Sequence, residues 1–376
     1  MKIGLITTLN TNIGDDFIRE GICRVLTHVL ADRAIEFVPV NKHQPFTVFS
    51  PFHPARLVQG LRLPVDGRFI DRAANSLAKT GRSRFDGCDL IVQCGAPVLW
   101  PGCHKCEWAE PLWYSVVGRL YKKIPVLNLA AGSCYPWEKQ PEKIDNPADA
   151  YFLKTISSYC AATTSRDVLA QKLFASIGVE ARFLPCTALL AGGTDRKEGE
   201  YRDFILINYM PGGGHYDWGQ HNDPLSWEKT ISALISNLKK KHKVAMLCHN
   251  EAERRAASEL APDLPVIFPR TPEEYFAAVA GAKAAVCNRL HASVGMAGIG
   301  IPSIAVGTDT RLLMVDALGV PALYVKDATL EKMEESLNGI LANREAESQR
   351  LLALRERVWQ EYVALVQKSM KIGERI

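Results

Sequence analysis

Short apolar runs rich in β-branched residues alternate with stretches of helical period through the first half of the chain. Lys2–Thr7, Ile35–Val40, Leu90–Gln93, Pro125–Leu129, Ala161–Thr164 and Ala181–Leu184 read as strands. Most segments between them are long enough for the crossover helix that parallel pairing requires. The exception is Lys42–Gly81, rich in Pro, Phe and Arg, which reads as an irregular excursion with one helix. Around Gly192–Gly199 the composition turns small and polar, marking a linker. The alternation then restarts with Phe204–Asn208, Val244–Cys248, Val266–Phe268, Ala284–Cys287 and Ser303–Val306. From Leu330 to Lys371, Leu, Val and Trp359 recur at helical spacing, a tail expected to pack back across the rest.

Two successive βαβα series predict an α/β chain with two doubly wound, Rossmann-like domains facing across a cleft. The expected spans are 1–195 and 200–340, with a helical segment at 341–376. Composition agrees: 376 residues, 47% hydrophobic and 23% charged, suit two globular domains. Net charge is only +4 and the basic residues are spread, so nucleic acid is not expected as a partner. The densest basic run, Lys239–Lys243, falls at a helix C-terminus, where cations are favoured.

Met1–Thr8 is too short for a signal peptide, and Pro302 with several glycines interrupts the longest uncharged stretch, Ala292–Gly307. A cytoplasmic location is the expectation. The ten cysteines are scattered, several within apolar runs, as buried free thiols in a reducing compartment would be. Cys103-His104-Lys105-Cys106 is a single CxxC unit without a second, so an ordinary loop is expected there and no metal.

Ligands of open parallel sheets bind at the carboxyl ends of strands, so the residues just after each strand carry the chemistry. After the first strand, Asn12-Ile13-Gly14-Asp15-Asp16 opens a helix, with Asp15 or Asp16 a candidate cap and free amides suited to an anion. Gly95 and the run Ala130–Ser133 are small-residue turns that let a backbone approach closely. Arg166 enters a helix, either aimed at the cleft or paired with Asp167. In the second half, Pro211–Gly219 has the mixed flexible and aromatic character of a substrate loop. His249-Asn250, Arg270-Thr271, Asn288-Arg289-Leu290-His291 and Gly307-Thr308-Asp309-Thr310-Arg311 follow the later strands. Three arginines at strand ends in two facing domains describe a cleft for a small, multiply charged anion.

These features resemble the polysaccharide pyruvyl transferase family. The resemblance runs over most of the chain and rests on Asn12-Ile13-Gly14-Asp15, on Ser165-Arg166-Asp167 with Phe174–Val179, and above all on Asn288-Arg289-Leu290-His291 with Gly300–Ala305. It implies a GT-B-like fold and transfer of a pyruvyl group from phosphoenolpyruvate to two hydroxyls of a sugar or glycan, releasing phosphate. No cofactor is implied, since phosphoenolpyruvate enters as donor substrate. By motif match Arg289 and His291 stand at the donor, with Arg166 across the cleft. Where many relatives carry a lysine after the last strand, this chain carries Arg311.

The candidate catalytic residues are then His291, as proton donor, and Asp15, as base. Arg166, Arg289, Arg311, Asn12, Gly14, Gly95 and His249 are the candidate substrate ligands. The alternatives are a GT-B glycosyltransferase using a nucleotide sugar and a non-catalytic anion- or sugar-binding member of the fold. Lys42–Gly81 and Pro211–Trp218 are expected to shape the acceptor site. For a lipid-linked acceptor, Phe46, Phe49, Phe52 and Arg56 would touch a membrane surface, a peripheral contact at most. No oligomeric state is readable from the pattern.

Overall fold

The strands of the first sheet are buried on both faces, which is why they read as apolar runs and not as an alternation. The computed structural model describes residues 1–61, 67–95, 97–193 and 199–373. Among them the first sheet comprises β1 (Lys2–Thr7), β2 (Glu36–Asn41), β3 (Leu90–Cys94), β4 (Pro97–Leu99), β5 (Val126–Ser133), β6 (Ala162–Ser165) and β7 (Arg182–Phe183). Their order is β2-β1-β3-β5-β6-β7, with β4 also paired to β5, and the pairing is parallel.

The second sheet comprises β8 (Phe204–Asn208), β9 (Lys243–Leu247), β10 (Val266–Ile267), β11 (Ala284–Cys287), β12 (Ser303–Gly307) and β13 (Ala322–Tyr324). It is parallel too, in the order β10-β9-β8-β11-β12-β13. The winding direction reverses between β1 and β3 in one sheet and between β8 and β11 in the other, and such switch points are where crevices open.

Of three local expectations, two change. The linker expected at Gly192–Gly199 falls largely on residues 194–198, outside the described residues. Ala130–Ser133 is not a turn: β5 continues through it, with a register shift between Asn128 and Ala131 and Ala130 at φ 57°. Lys42–Gly81 holds two α-helices, α2 (Pro54–Gln59) and α3 (Gly67–Ala78), where one was expected.

Helix α1 (Ile13–Val29) fixes how the two halves meet. Its Phe17 ring lies 4.6 Å from Tyr275 and 4.8 Å from Phe276, on a helix of the second half. One apolar cluster runs from Leu5 and Val92 through Phe17 to Leu206 and Ala305, so both sheets share a core. Helices α4 (Val168–Ser176) and α5 (Leu290–Ala297) follow β6 and β11. The last helix, α6 (Arg344–Gly373), straps the halves together. Arg350 donates to Leu318 and Gly319 carbonyls, Tyr362 to the Pro185 carbonyl, and Glu361 pairs with Arg182. Among the described residues no helix is long and apolar enough to cross a membrane.

Candidate active site

A cavity of about 800 Å³ lies where the two sets of strand ends meet. Asn12, Asp15 and Arg166 line it from the first half; Arg289, His291 and Arg311 line it from the second.

Arg166 stands at its floor and is fully buried. Two neighbouring choices put it there. Gly132 leaves the room: a Cβ at that position would meet Arg166 Nε at 2.4 Å. Asp167 does not pair with the guanidinium, because its carboxylate caps α4 at the Ala170 amide and accepts from Ser133 N and Oγ. Arg166 Nη1 donates to His291 Nε2 at 3.3 Å, while among the described residues Nε and Nη2 have no hydrogen-bond partner. A buried guanidinium with idle donors is costly unless a ligand arrives to satisfy it.

The bond from Arg166 leaves the His291 proton on Nδ1, which faces Asp15 Oδ1 at 4.0 Å. Burial, with Arg166, Arg311, His249 and Arg289 around it, holds the imidazole well below its ordinary range. In the free protein these surroundings favour the neutral ring. A bound polyanion would push the same ring back toward the protonated form. Gly14 permits the approach: a Cβ there would meet His291 Cβ at 3.1 Å and His249 Nδ1 at 3.3 Å.

Asn12, not Asp15 or Asp16, caps α1, accepting from the Gly14 amide. Asp15 is instead held by Thr11 Oγ1 at 3.0 Å and Asn12 Nδ2 at 2.6 Å, leaving Oδ1 toward His291. Asp16 pairs with Arg19.

On the other wall the arginines are already anchored. Arg289 Nε donates to Glu253 Oε1 at 2.6 Å, and Arg311 makes two bonds to Asp309, at 2.8 and 2.6 Å. Each also lines the cavity, and a guanidinium has more N–H donors than these bonds use. Arg289→Ala should therefore cost stability as well as anion affinity, because the buried Glu253 carboxylate loses its cation. A drop of about 3–5 kcal/mol in urea unfolding is expected. Asn288 explains the rigidity of this corner: it accepts from the Met210 amide and donates to the Gly213 and Val306 carbonyls, tying β8, β11 and β12 together. Helix α5 begins at Arg289 without a side-chain cap, so its positive end faces the cavity unopposed.

Three expected ligands, Gly14, Gly95 and His249, do not line the cavity. Gly95 leaves no room for a side chain, since a Cβ there would meet Ala130 Cβ and Ile18 Cγ2 at 2.9 Å. His249 lies behind His291 in an aromatic cluster, its ring 5.9 Å from Phe17 and 5.2 Å from Tyr275, with both nitrogens unpartnered. Burial lowers its pKa to about 4. The unfolded chain binds this proton below about 6.5 and the folded chain only below about 4, so stability from His249 is complete above 6.5 and lost as pH falls toward 4. The loss is on the order of 3 kcal/mol. Urea unfolding at pH 7, 5.5 and 4 should show it, with a flatter slope in His249→Phe.

Lys42 went unnoticed in the sequence. It is the residue directly after β2, held there by its amide bonding to the Thr7 carbonyl at 2.8 Å, and its buried side chain lines the cavity. Among the described residues its ammonium has no carboxylate or hydrogen-bond partner, and it lies 6.0 Å from the Trp108 ring. Burial lowers its pKa, and Asp15 acts to raise it. The aromatic groups Trp100, Trp108, Tyr216 and Trp218 complete the walls. All ten cysteines are free, and among the described residues no three His, Cys, Asp or Glu gather as a metal site would need. The CxxC loop is fastened by Asp149, which accepts from the amides of Gly102 and His104 and from His104 Nδ1.

Two parallel sheets facing a shared cleft define the GT-B class of two-domain α/β enzymes. The fold is similar to a putative UDP-N-acetylglucosamine 2-epimerase from Listeria monocytogenes (TM-score 0.53, 11% identity, 94% of this chain and 91% of that one). It is similar also to UDP-GlcNAc 2-epimerase from Neisseria meningitidis (TM-score 0.52, 13% identity, 97% and 100% covered). The enzyme of that name from Methanocaldococcus jannaschii matches alike (TM-score 0.51, 12% identity, 91% and 93% covered). At such identities the likeness concerns the fold alone. No curated protein matches in sequence. Residues 12–310 match the polysaccharide pyruvyl transferase family model, and the chain belongs to that family.

Proposed function

We propose that this enzyme transfers the pyruvyl group of phosphoenolpyruvate to two hydroxyls of a sugar or glycan, forming a ketal and releasing phosphate. The observation that carries the reading is the idle, buried guanidinium of Arg166 beneath a neutral His291, opposite the uncapped start of α5. Together they suit a compact donor with a carboxylate and a phosphate. The reaction moves two protons from the acceptor hydroxyls. One ends on the donor methylene, which becomes a methyl group; the other leaves with phosphate. His291, protonated once the polyanion is bound, delivers a proton, and Asp15 is the base for a hydroxyl. Arg289 and Arg311 clamp the donor from the second half. The aromatic faces of Trp100, Trp108 and Trp218 offer an acceptor sugar its apolar contacts.

Lys42, unpaired among the described residues and lining the same space, adds a second cation from the first half to that of Arg166. Lys42→Met should raise KM for the donor roughly tenfold or more with little change in melting temperature. Steady-state kinetics would show it. The structural neighbours include enzymes of nucleotide sugars, so a nucleotide-sugar transferase is the competing reading. Phosphate release from phosphoenolpyruvate that depends on a glycan fraction, with a carboxyl-bearing product seen by mass spectrometry, supports pyruvyl transfer. Glycan-dependent release of nucleoside diphosphate from a nucleotide sugar would replace it.

A further inference from the structure

Four of the most exposed large apolar side chains lie close together in sequence, between the cleft residue His43 and β3. Phe52 is 85% exposed, Phe69 69%, Leu57 53% and Leu61 47%. They stand on α2, α3 and the residues flanking α2, and the two helices pack against each other. The base beneath them is firm. Phe46 and Phe49, expected at the surface, are buried, and Phe49 stacks on His53 at 4.3 Å. His53 caps α2 through the Ala55 amide, and its Nε2 bonds the Thr80 carbonyl just past α3.

The same stretch is the basic pole of the chain. Residues 50–84 carry seven Lys or Arg against two Asp, more positive charge than the whole protein's +4, so the remainder is slightly acidic. On α3, Arg68 and Arg72 are one turn apart and exposed; just past the helix, Lys79 pairs with Glu110 at 3.3 Å, and the exposed Arg82 follows.

We propose that this face, formed by α2, α3 and the described residues beside them, seats the enzyme on an anionic lipid bilayer. Exposed aromatic and aliphatic side chains among clustered basic ones match the boundary between acyl chains and headgroups. A second copy is a poor occupant, because two such faces would bring like charges together. Nucleic acid would use the arginines and could stack on the phenylalanines, but it offers nothing to Leu57 and Leu61. The inference is independent of which donor the cleft takes.

The test is flotation of the full chain with vesicles of equimolar phosphatidylglycerol and phosphatidylcholine, and with phosphatidylcholine alone. The protein should float with the anionic vesicles, less so as salt rises, and stay in solution beside the neutral ones. Arg72→Gln/Arg82→Gln should weaken partitioning about five-fold for each cation removed. Phe52→Ser/Phe69→Ser should weaken it as well. Both variants should keep the parent melting temperature, because the side chains they replace are exposed. Flotation equal on both vesicle types, or unchanged in both variants, would overturn the proposal. So would light scattering that shows a dimer dissociated by the same substitutions.

Discussion

Arg166→Met should lower kcat/KM for pyruvyl transfer about 1,000-fold while leaving the melting temperature unchanged or raised. Two idle donors at the cavity floor, each forming a charge-assisted bond to the donor substrate, account for the loss at about 1.5–3 kcal/mol apiece. The stability side follows from the same geometry. In the free protein this guanidinium is desolvated and poorly paired, so removing it relieves a cost where removal of an ordinary buried ion pair imposes one. Arg166→Lys should recover little, since an ammonium cannot reproduce the planar fork. Kinetics beside differential scanning calorimetry separates the cases. A variant that melts several degrees lower and loses activity in proportion would make Arg166 a structural residue.

His291→Ala should reduce kcat by roughly 100-fold or more, with a smaller change in donor affinity. The pH profile carries the finer expectation. In the free protein the ring is held neutral by burial and four cationic or basic neighbours. A donor bearing several negative charges reverses that balance, so the pKa in the complex stands above that of the free enzyme. If the ring acts as an acid, kcat falls on the alkaline side through that higher value, and the limb disappears in His291→Ala. An unchanged limb in the variant would assign the proton to another group, with Asp15 and Lys42 the nearest choices.

The parallel sheets were legible because their strands are buried on both faces and separated by segments of crossover length. The three-residue strands β4 and β13 carry too little pattern to announce themselves. At the site, the rule that function follows strand ends led to Arg166, Arg289, His291 and Arg311, which do line one cavity. The same rule also picked Gly14, Gly95 and His249, which do not line it, since a position after a strand does not tell which way its atoms face. It also reaches Lys42, the residue after β2, but the Pro- and Phe-rich composition beyond it had drawn the whole stretch into an irregular loop. Glu253, the anchor of Arg289, was hidden for a different reason. It sits on a helix 36 residues earlier and meets the arginine only through the fold.

Guanidinium groups from both halves line one cavity, and the proposed occupant is a single small polyanion. Isothermal titration of the full chain with phosphoenolpyruvate, and separately with UDP-N-acetylglucosamine, is the sharpest test. Saturable binding of phosphoenolpyruvate that is lost in Arg166→Met is expected, and no binding of the nucleotide sugar. Tight binding of the nucleotide sugar with no heat from phosphoenolpyruvate would refute the assignment.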